Sequence, residues 1–121
     1  MKHADVTEKV IGAAYEVHNA LGHGFLEKVY ENALALELRR AGVTVEQQYP
    51  VPARYHGELV GDYVADLVVD GKVIVEVKTV GGLEPVHEVQ LVNYLKATGM
   101  EVGLLVNFGR QVEVKRKVFD P

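Results

Sequence analysis

The chain has 121 residues, of which 48% are hydrophobic and 25% charged, and its formal net charge is −4. It contains neither cysteine nor serine, which excludes disulfides, cysteine-ligated zinc and thiol or serine nucleophiles. This composition is too apolar for a disordered protein, and the length suits one core. No apolar run approaches the roughly 18 residues of a membrane span, and no signal-peptide pattern opens the chain, so we expect a cytoplasmic protein outside the membrane.

Two helices are predicted at the start of the chain. Apolar residues recur at helical spacing over residues 6–21, and the segment Gly22-His23-Gly24 ends the pattern. Residues 25–41 are rich in leucine, alanine and glutamate, and Gly42 is a natural stop for this second helix.

Three strands follow, because β-branched and aromatic residues dominate residues 43–55, 59–69 and 72–80. Turns are predicted at His56-Gly57 and at Asp70-Gly71, the stronger of the two signals. Pro50 and Pro52 place the first strand at an edge of the sheet or at a bend.

The last third of the chain predicts a helix and two strands. Pro85 lies where a helix begins, the helical pattern continues to Thr98, and Gly99 ends it. Residues 102–106 and 111–118 are predicted strands. The order α-α-β-β-β-α-β-β predicts one α/β domain over residues 1–121, with a mixed β-sheet flanked by helices.

Two acidic residues on neighbouring strands are the first candidates for chemistry. Glu76 and Lys78 share one face of their strand, opposite an all-valine face. Asp66, on the preceding strand, lies on their side of the sheet only if the hairpin loop has an odd number of residues. We therefore predict a three-residue loop, Val69-Asp70-Gly71, with Gly71 in the left-handed conformation.

These charged residues either lie on a solvent-exposed face of the sheet or form a functional site. The runs around them are nearly all apolar, as in a central strand covered on both faces, where unpaired charges are costly. The helix after Pro85 has a polar stripe, His87, Gln90 and Tyr94, that is either its outer face or a cover for the carboxylates. Because the chain is acidic overall, any nucleic-acid interpretation depends on a local site.

The combination of Asp66, Glu76-Val77-Lys78 and the helical segment Gln90-Leu-Val-Asn-Tyr94 resembles the PD-(D/E)XK nuclease superfamily with a RecB-type QxxxY motif. More narrowly, Gly24-Phe-Leu-Glu27-Lys-Val-Tyr30 is similar to the motif of the GxxExxY proteins, a group within that superfamily. Ala65 stands where the superfamily's name has a proline, which does not affect the ligands. The resemblance implies a restriction-endonuclease-like core and metal-dependent cleavage of nucleic acid, with DNA expected as the substrate in preference to RNA.

The resemblance also implies catalytic roles for five residues: Asp66, Glu76, Lys78, Gln90 and Glu27. Asp66 and Glu76, together with the backbone carbonyl of Val77, would hold Mg²⁺ or Mn²⁺. Glu27 would add a third carboxylate; without the resemblance it is a surface glutamate pairing with a nearby lysine. Lys78 would orient the attacking water or stabilise developing negative charge.

The remaining residues of the expected site lie on two helices. Gln90 would bind a metal-bound water or a phosphate oxygen, and Tyr94 would support it. His87 lies close enough to Gln90 for an indirect role. Tyr30 is expected to pack with its hydroxyl hydrogen-bonded rather than to take part in chemistry.

Three functions stay open on the sequence alone. The first is a divalent-metal-dependent nuclease, and the second is a catalytically weak or inactive nuclease-fold module that binds nucleic acid or a protein. The acidic charge and the lack of an added substrate-binding domain favour the second. The third is a site kept only as a stabilising ion network. A homodimer is also conceivable, formed through an edge strand at residues 111–118.

Overall fold

The computed structural model describes residues 1–120, which form one five-stranded sheet with helices on both faces. In chain order the elements are α1 (Ala4–Leu21), α2 (Glu27–Arg40), β1 (Val45–Tyr55), β2 (Glu58–Val69), β3 (Val73–Lys78), α3 (Pro85–Thr98), β4 (Val102–Phe108) and β5 (Val112–Val118). The predicted element order and the mixed α/β class are confirmed. Among residues 1–120, no helix is both long and apolar enough to cross a bilayer.

The strands lie in chain order across the sheet, from β1 at one edge to β5 at the other. Only β3 and β4 are parallel, and α3 makes the crossover between them. Every residue from Val73 to Val77 is buried, so β3 is a central strand covered on both faces, as predicted. Pro50 and Pro52 lie on edge strand β1, where a proline need not break the ladder.

Two apolar layers enclose the sheet. Helices α1 and α2 pack on one face, with Val10 and Leu34 in the same buried cluster as Val75. Helix α3 packs on the other face, where Leu91 is buried. A Cβ at Gly103 would lie 2.7 Å from Leu91 Cδ1, so α3 approaches β4 this closely only because residue 103 has no side chain.

The β2–β3 hairpin has an odd-numbered loop, as predicted, but the predicted loop residues were wrong by one position. Val69 pairs with Val73, so the loop is Asp70-Gly71-Lys72 rather than Val69-Asp70-Gly71. Asp70 and Gly71 are both left-handed, with φ of 55° and 65°, and the Lys72 N–H donates to the Val69 carbonyl. Val69 remains in the strand because its side chain is fully buried.

Tyr30 anchors the start of α2. Its buried ring stacks on Phe108 with centroids 4.6 Å apart. Its hydroxyl donates to the Gly22 carbonyl at 2.6 Å and accepts the Phe25 N–H at 3.3 Å. Gly24 between them has φ of 107°, a conformation that side chains disfavour. Tyr30 is thus a packed and hydrogen-bonded residue, as predicted, and it fixes the loop that leads into the helix.

Replacing Tyr30 tests this anchor. Tyr30→Ala leaves a cavity beside Phe108 and is expected to lower the free energy of unfolding by about 3–5 kcal/mol. Tyr30→Phe keeps the stacking but leaves the Gly22 carbonyl unpaired, for a loss of about 1–2 kcal/mol. Urea denaturation measures both, with the exposed Tyr15→Phe as the control. A change within about 0.5 kcal/mol for Tyr30→Ala would contradict the assignment.

Candidate active site

Two carboxylates replace backbone pairing where β2 and β3 separate. The strands pair from Val69–Val73 to Leu67–Val75, close to their hairpin. Immediately beyond, Glu76 Oε2 accepts the N–H of Asp66 at 2.7 Å, and Asp66 Oδ2 accepts the N–H of Val77 at 2.8 Å. The structure therefore brings the two predicted acidic residues together, each bonded to the backbone of the other's strand.

Burial makes negative charge costly at both carboxyls. Glu76 is only 3% exposed, and desolvation raises its pKa to about 8, with a further contribution from the charge of Asp66. Burial likewise raises the pKa of Asp66 to about 6, and repulsion from Glu31 and Glu27 adds to it. Lys78 acts in the opposite direction on both groups. The site therefore contains several neighbouring carboxyl groups and one nearby ammonium group, that of Lys78.

Glu27 is the first residue of α2 and is exposed to solvent. The positive end of the helix dipole favours a carboxylate at this position. Its charge contributes to raising the pKa of both Asp66 and Glu76, which places it near the same site. Within residues 1–120 it forms no salt bridge, whereas its neighbour Lys28 pairs with Glu31. The alternative of a surface Glu27–lysine pair therefore has no support from this arrangement.

Helix α3, which packs on the opposite face of the sheet from α2, contributes a series of polar contacts. Lys78 Nζ donates to Gln90 Oε1 at 3.4 Å, and Gln90 Nε2 donates to the Tyr94 hydroxyl at 3.2 Å. Burial raises the pKa of Tyr94, and the charges of Glu76 and Asp66 raise it further. Gln90 and Tyr94 of the polar stripe therefore lie beside Lys78 rather than facing only solvent.

His87 has a local partner at the start of α3. Its Nδ1 accepts the backbone N–H of Glu84 at 2.9 Å. The helix begins one residue after Glu84, at Pro85, so this imidazole satisfies a backbone donor at the helix terminus. The structure thus places His87 in a capping contact, one turn before Gln90.

Sequence reasoning missed Glu31 as part of this region. Its carboxylate is 3% exposed and accepts hydrogen bonds from Lys28, Gln47 and Gln48, at 3.1, 2.9 and 2.9 Å. Gln48 lies between the pairs Gln47–Leu67 and Tyr49–Ala65 and has φ of 54°. Two successive side chains of β1 therefore reach one carboxylate, and the strand's alternation is broken beside Asp66. One feature of the sequence could have indicated Glu31: it follows Glu27 by four residues, about one helical turn, and so lies on the same side of α2.

The donor chemistry of these residues fits a hard divalent cation. Asp66 and Glu76 supply carboxylate oxygens and Glu27 lies nearby. A cation's charge would stabilise the ionised carboxylates, which burial and then mutual repulsion disfavour. Each carboxylate uses one oxygen for a backbone N–H and keeps a second oxygen. In the described part of the chain, however, no three acidic or histidine side chains converge as a ready-made metal-binding group.

Comparison with known proteins shows what this chain is similar to. The family model of the PD-(D/E)XK nuclease superfamily matches residues 4–118. Among curated proteins, no match was found. The crystal structure of SSO0001 is similar at a TM-score of 0.57 and 20% identity, covering 98% of this chain and 60% of that one. An alkaline exonuclease (LHK-Exo) from Laribacter hongkongensis is similar at a TM-score of 0.57 and 15% identity, covering 99% of this chain and 72% of that one. These likenesses show a shared fold.

The buried carboxyl of Glu76 predicts that the metal-free protein becomes less stable to unfolding as pH rises. Between the ordinary pKa of 4.5 and the folded value of about 8, the unfolded chain has released the proton that the folded chain retains. Unfolding free energy therefore falls as pH rises through this window, by up to about 1.4 kcal/mol per pH unit. Glu76→Gln retains an acceptor for the Asp66 N–H and removes this ionisation, so its stability relative to wild type should increase from pH 5 to pH 8.

Urea denaturation in EDTA at several pH values measures the difference. The matched control is Glu16→Gln, which replaces an exposed glutamate on α1 and should track the wild type. If the stability of Glu76→Gln relative to wild type does not increase between pH 5 and pH 8, ionisation of Glu76 is not destabilising and the electrostatic description of the site is wrong.

Proposed function

The chain belongs to the PD-(D/E)XK nuclease superfamily, and we propose that it is a divalent-metal-dependent nuclease that hydrolyses phosphodiester bonds, with DNA as its substrate. The main support is the meeting of Asp66 and Glu76 where β2 and β3 separate, with Lys78 on the same strand. Membership of the narrower GxxExxY group is part of the proposal and depends on the motif from Gly24 to Tyr30.

The proposed metal ligands are the oxygens of Asp66 and Glu76 and the backbone carbonyl of Val77. Glu27, at the N-terminus of α2, would add a further carboxylate. Mg²⁺ and Mn²⁺ are the proposed ions, because both accept carboxylate, carbonyl and water oxygens. When bound, such an ion supplies a more acidic water and offsets negative charge on the phosphorus that is attacked.

Lys78 is the proposed group for phosphate binding. Its ammonium is a compact positive charge, and its contact with Gln90 Oε1 holds it on the α3 side of the carboxylates. The Gln90 amide has two N–H donors, of which one is used by the Tyr94 hydroxyl. The second donor is left for a phosphate oxygen or a water. Tyr94 thus sets the orientation of Gln90, and Gln90 sets that of Lys78.

A nuclease-fold module with weak or no catalysis is the second candidate. It is favoured by the lack of a converged three-ligand group among residues 1–120 and by the backbone hydrogen bonds that occupy one oxygen of each carboxylate. Such a module would bind nucleic acid or a protein without cutting. A homodimer through edge strand β5 is also a proposal, independent of which candidate holds.

Cleavage assays with substitutions at the site distinguish the candidates. Wild-type protein should cut DNA in Mg²⁺ or Mn²⁺, and EDTA should abolish cutting. Asp66→Asn, Glu76→Gln and Lys78→Met should each lower the rate about 100-fold or more, because each removes charge from the reacting centre. The matched control is Lys9→Met, an exposed lysine on α1. Unchanged rates in all three site variants would contradict the proposed residues.

Metal binding measured by calorimetry gives an independent readout. Wild-type protein should bind Mn²⁺, and Asp66→Asn should lose that binding. Binding without cleavage of any DNA or RNA supports the module. If all three site variants are destabilised and neither metal binding nor cleavage occurs in wild type, the charged residues form only a stabilising ion network.

A further inference from the structure

A groove of about 900 Å³ lies between the β1–β2 hairpin and α3. Its hairpin side includes Val51 and Tyr63, and its helix side includes Val86 and Val89, which are 63% and 59% exposed. Gln90 and Tyr94 line the same groove. The groove is therefore continuous with the Lys78–Gln90–Tyr94 contacts beside the carboxylates.

Tyr63 offers an open aromatic surface in this groove. The residue is 52% exposed, and its ring centroid lies 5.9 Å from that of Tyr94. A Cβ at Gly61 would lie 2.7 Å from Tyr63 Cε2, so the ring lies over the glycine and a side chain there would displace it. The glycine lets the ring lie against the strand while much of it stays open to solvent.

The charged side chains that line the groove are both basic. They are Arg54 and Lys96, and no acidic residue lines the groove with them. Neither forms a salt bridge within residues 1–120, although the whole chain has a net charge of −4. By contrast, Lys115 and Lys117 of β5 lie 4.0 and 2.5 Å from carboxylate oxygens of Glu88. Two positive charges without a salt-bridge partner in the described residues therefore lie in the groove that leads to the site.

We propose that this groove binds single-stranded nucleic acid, with a base stacked on Tyr63 and the phosphates beside Arg54 and Lys96. An aromatic surface and apolar walls suit unpaired bases, whose faces are available for stacking, whereas a duplex buries its base faces. The proposal rests on the proposed nuclease function for its substrate and adds that the strand next to the cut is single. A nucleic-acid single strand that lies in the groove would contact Gln90 and Tyr94 and reach Lys78.

Fluorescence anisotropy in EDTA tests the groove without cleavage. The probes are a labelled 12-nucleotide oligothymidine and a mixed-sequence duplex of equal length. Wild-type protein should prefer the single strand, and Tyr63→Ala should weaken that binding roughly tenfold, as expected for loss of one stacked base. Tyr63→Phe keeps the ring and should stay within about twofold of wild type. The matched control is Tyr15→Ala, a tyrosine of similar exposure, 50%, on α1.

Equal affinity of wild type for duplex and single strand, or unchanged affinity in Tyr63→Ala, would overturn the groove proposal. Sedimentation provides the other decisive outcome. If Tyr63→Ala abolishes self-association but leaves oligonucleotide affinity unchanged, the groove holds a second copy of this chain instead.

Hydrolysis of bis(p-nitrophenyl) phosphate in Mn²⁺ separates this proposal from the nuclease function. This ester is too small to fill the groove, so Tyr63→Ala should lower the rate of oligonucleotide cutting by a clearly larger factor than the rate of ester hydrolysis. If wild type hydrolyses no phosphodiester but still binds single strands through Tyr63, the nuclease proposal fails and the groove proposal stands. If both substrates are cut normally by Tyr63→Ala, the groove proposal fails alone.

Discussion

The two hydrogen bonds that the carboxylates of Asp66 and Glu76 accept from backbone N–H groups are the constraint on which the site depends. Each carboxylate accepts a backbone N–H of the opposite strand at the point where β2 and β3 stop pairing. The two strands therefore separate without leaving these donors unsatisfied, since the acidic side chains replace the missing ladder bonds. The cost is one buried and one half-buried acid whose pKa values are raised, so the protein keeps here a charge arrangement that folding alone would not select.

The rest of the fold brings two helices to this point from opposite faces of the sheet. On one face, the stacking of Tyr30 on Phe108 holds the first turn of α2, which presents Glu27. On the other, the close approach of α3 to Gly103 brings Gln90 to Lys78. Both helices are fixed by buried contacts away from the charged residues. A substitution within the site can therefore change its chemistry while the scaffold remains folded.

Much of this arrangement could be predicted from the sequence because it follows from local periodicity. The period-two pattern of β3 and the loop parity placed Asp66 and Glu76 together, although burial of Val69 moved the loop by one residue. The roles of Glu31 and Tyr63 could not be predicted in this way. Glu31 depends on a local break in β1 at Gln48, and the surface at Tyr63 depends on how α3 packs beside the hairpin. Both arise from tertiary packing, which periodicity does not encode.

The distribution of charge explains how an acidic chain can accommodate a polyanion. Net charge governs long-range attraction, but binding depends on the charges that a ligand meets at contact. On β5 the lysines at 115 and 117 share one carboxylate, that of Glu88, so part of the positive charge of that strand is offset. Arg54 and Lys96 lie in a groove without acidic lining, where their charge is unopposed at short range. Asp66 and Glu76 lie beside the Lys78–Gln90 contact, where a divalent cation would offset the charge of the two carboxylates. A polyanion would then meet positive charge along the groove and at its end, so metal binding and substrate binding should be coupled.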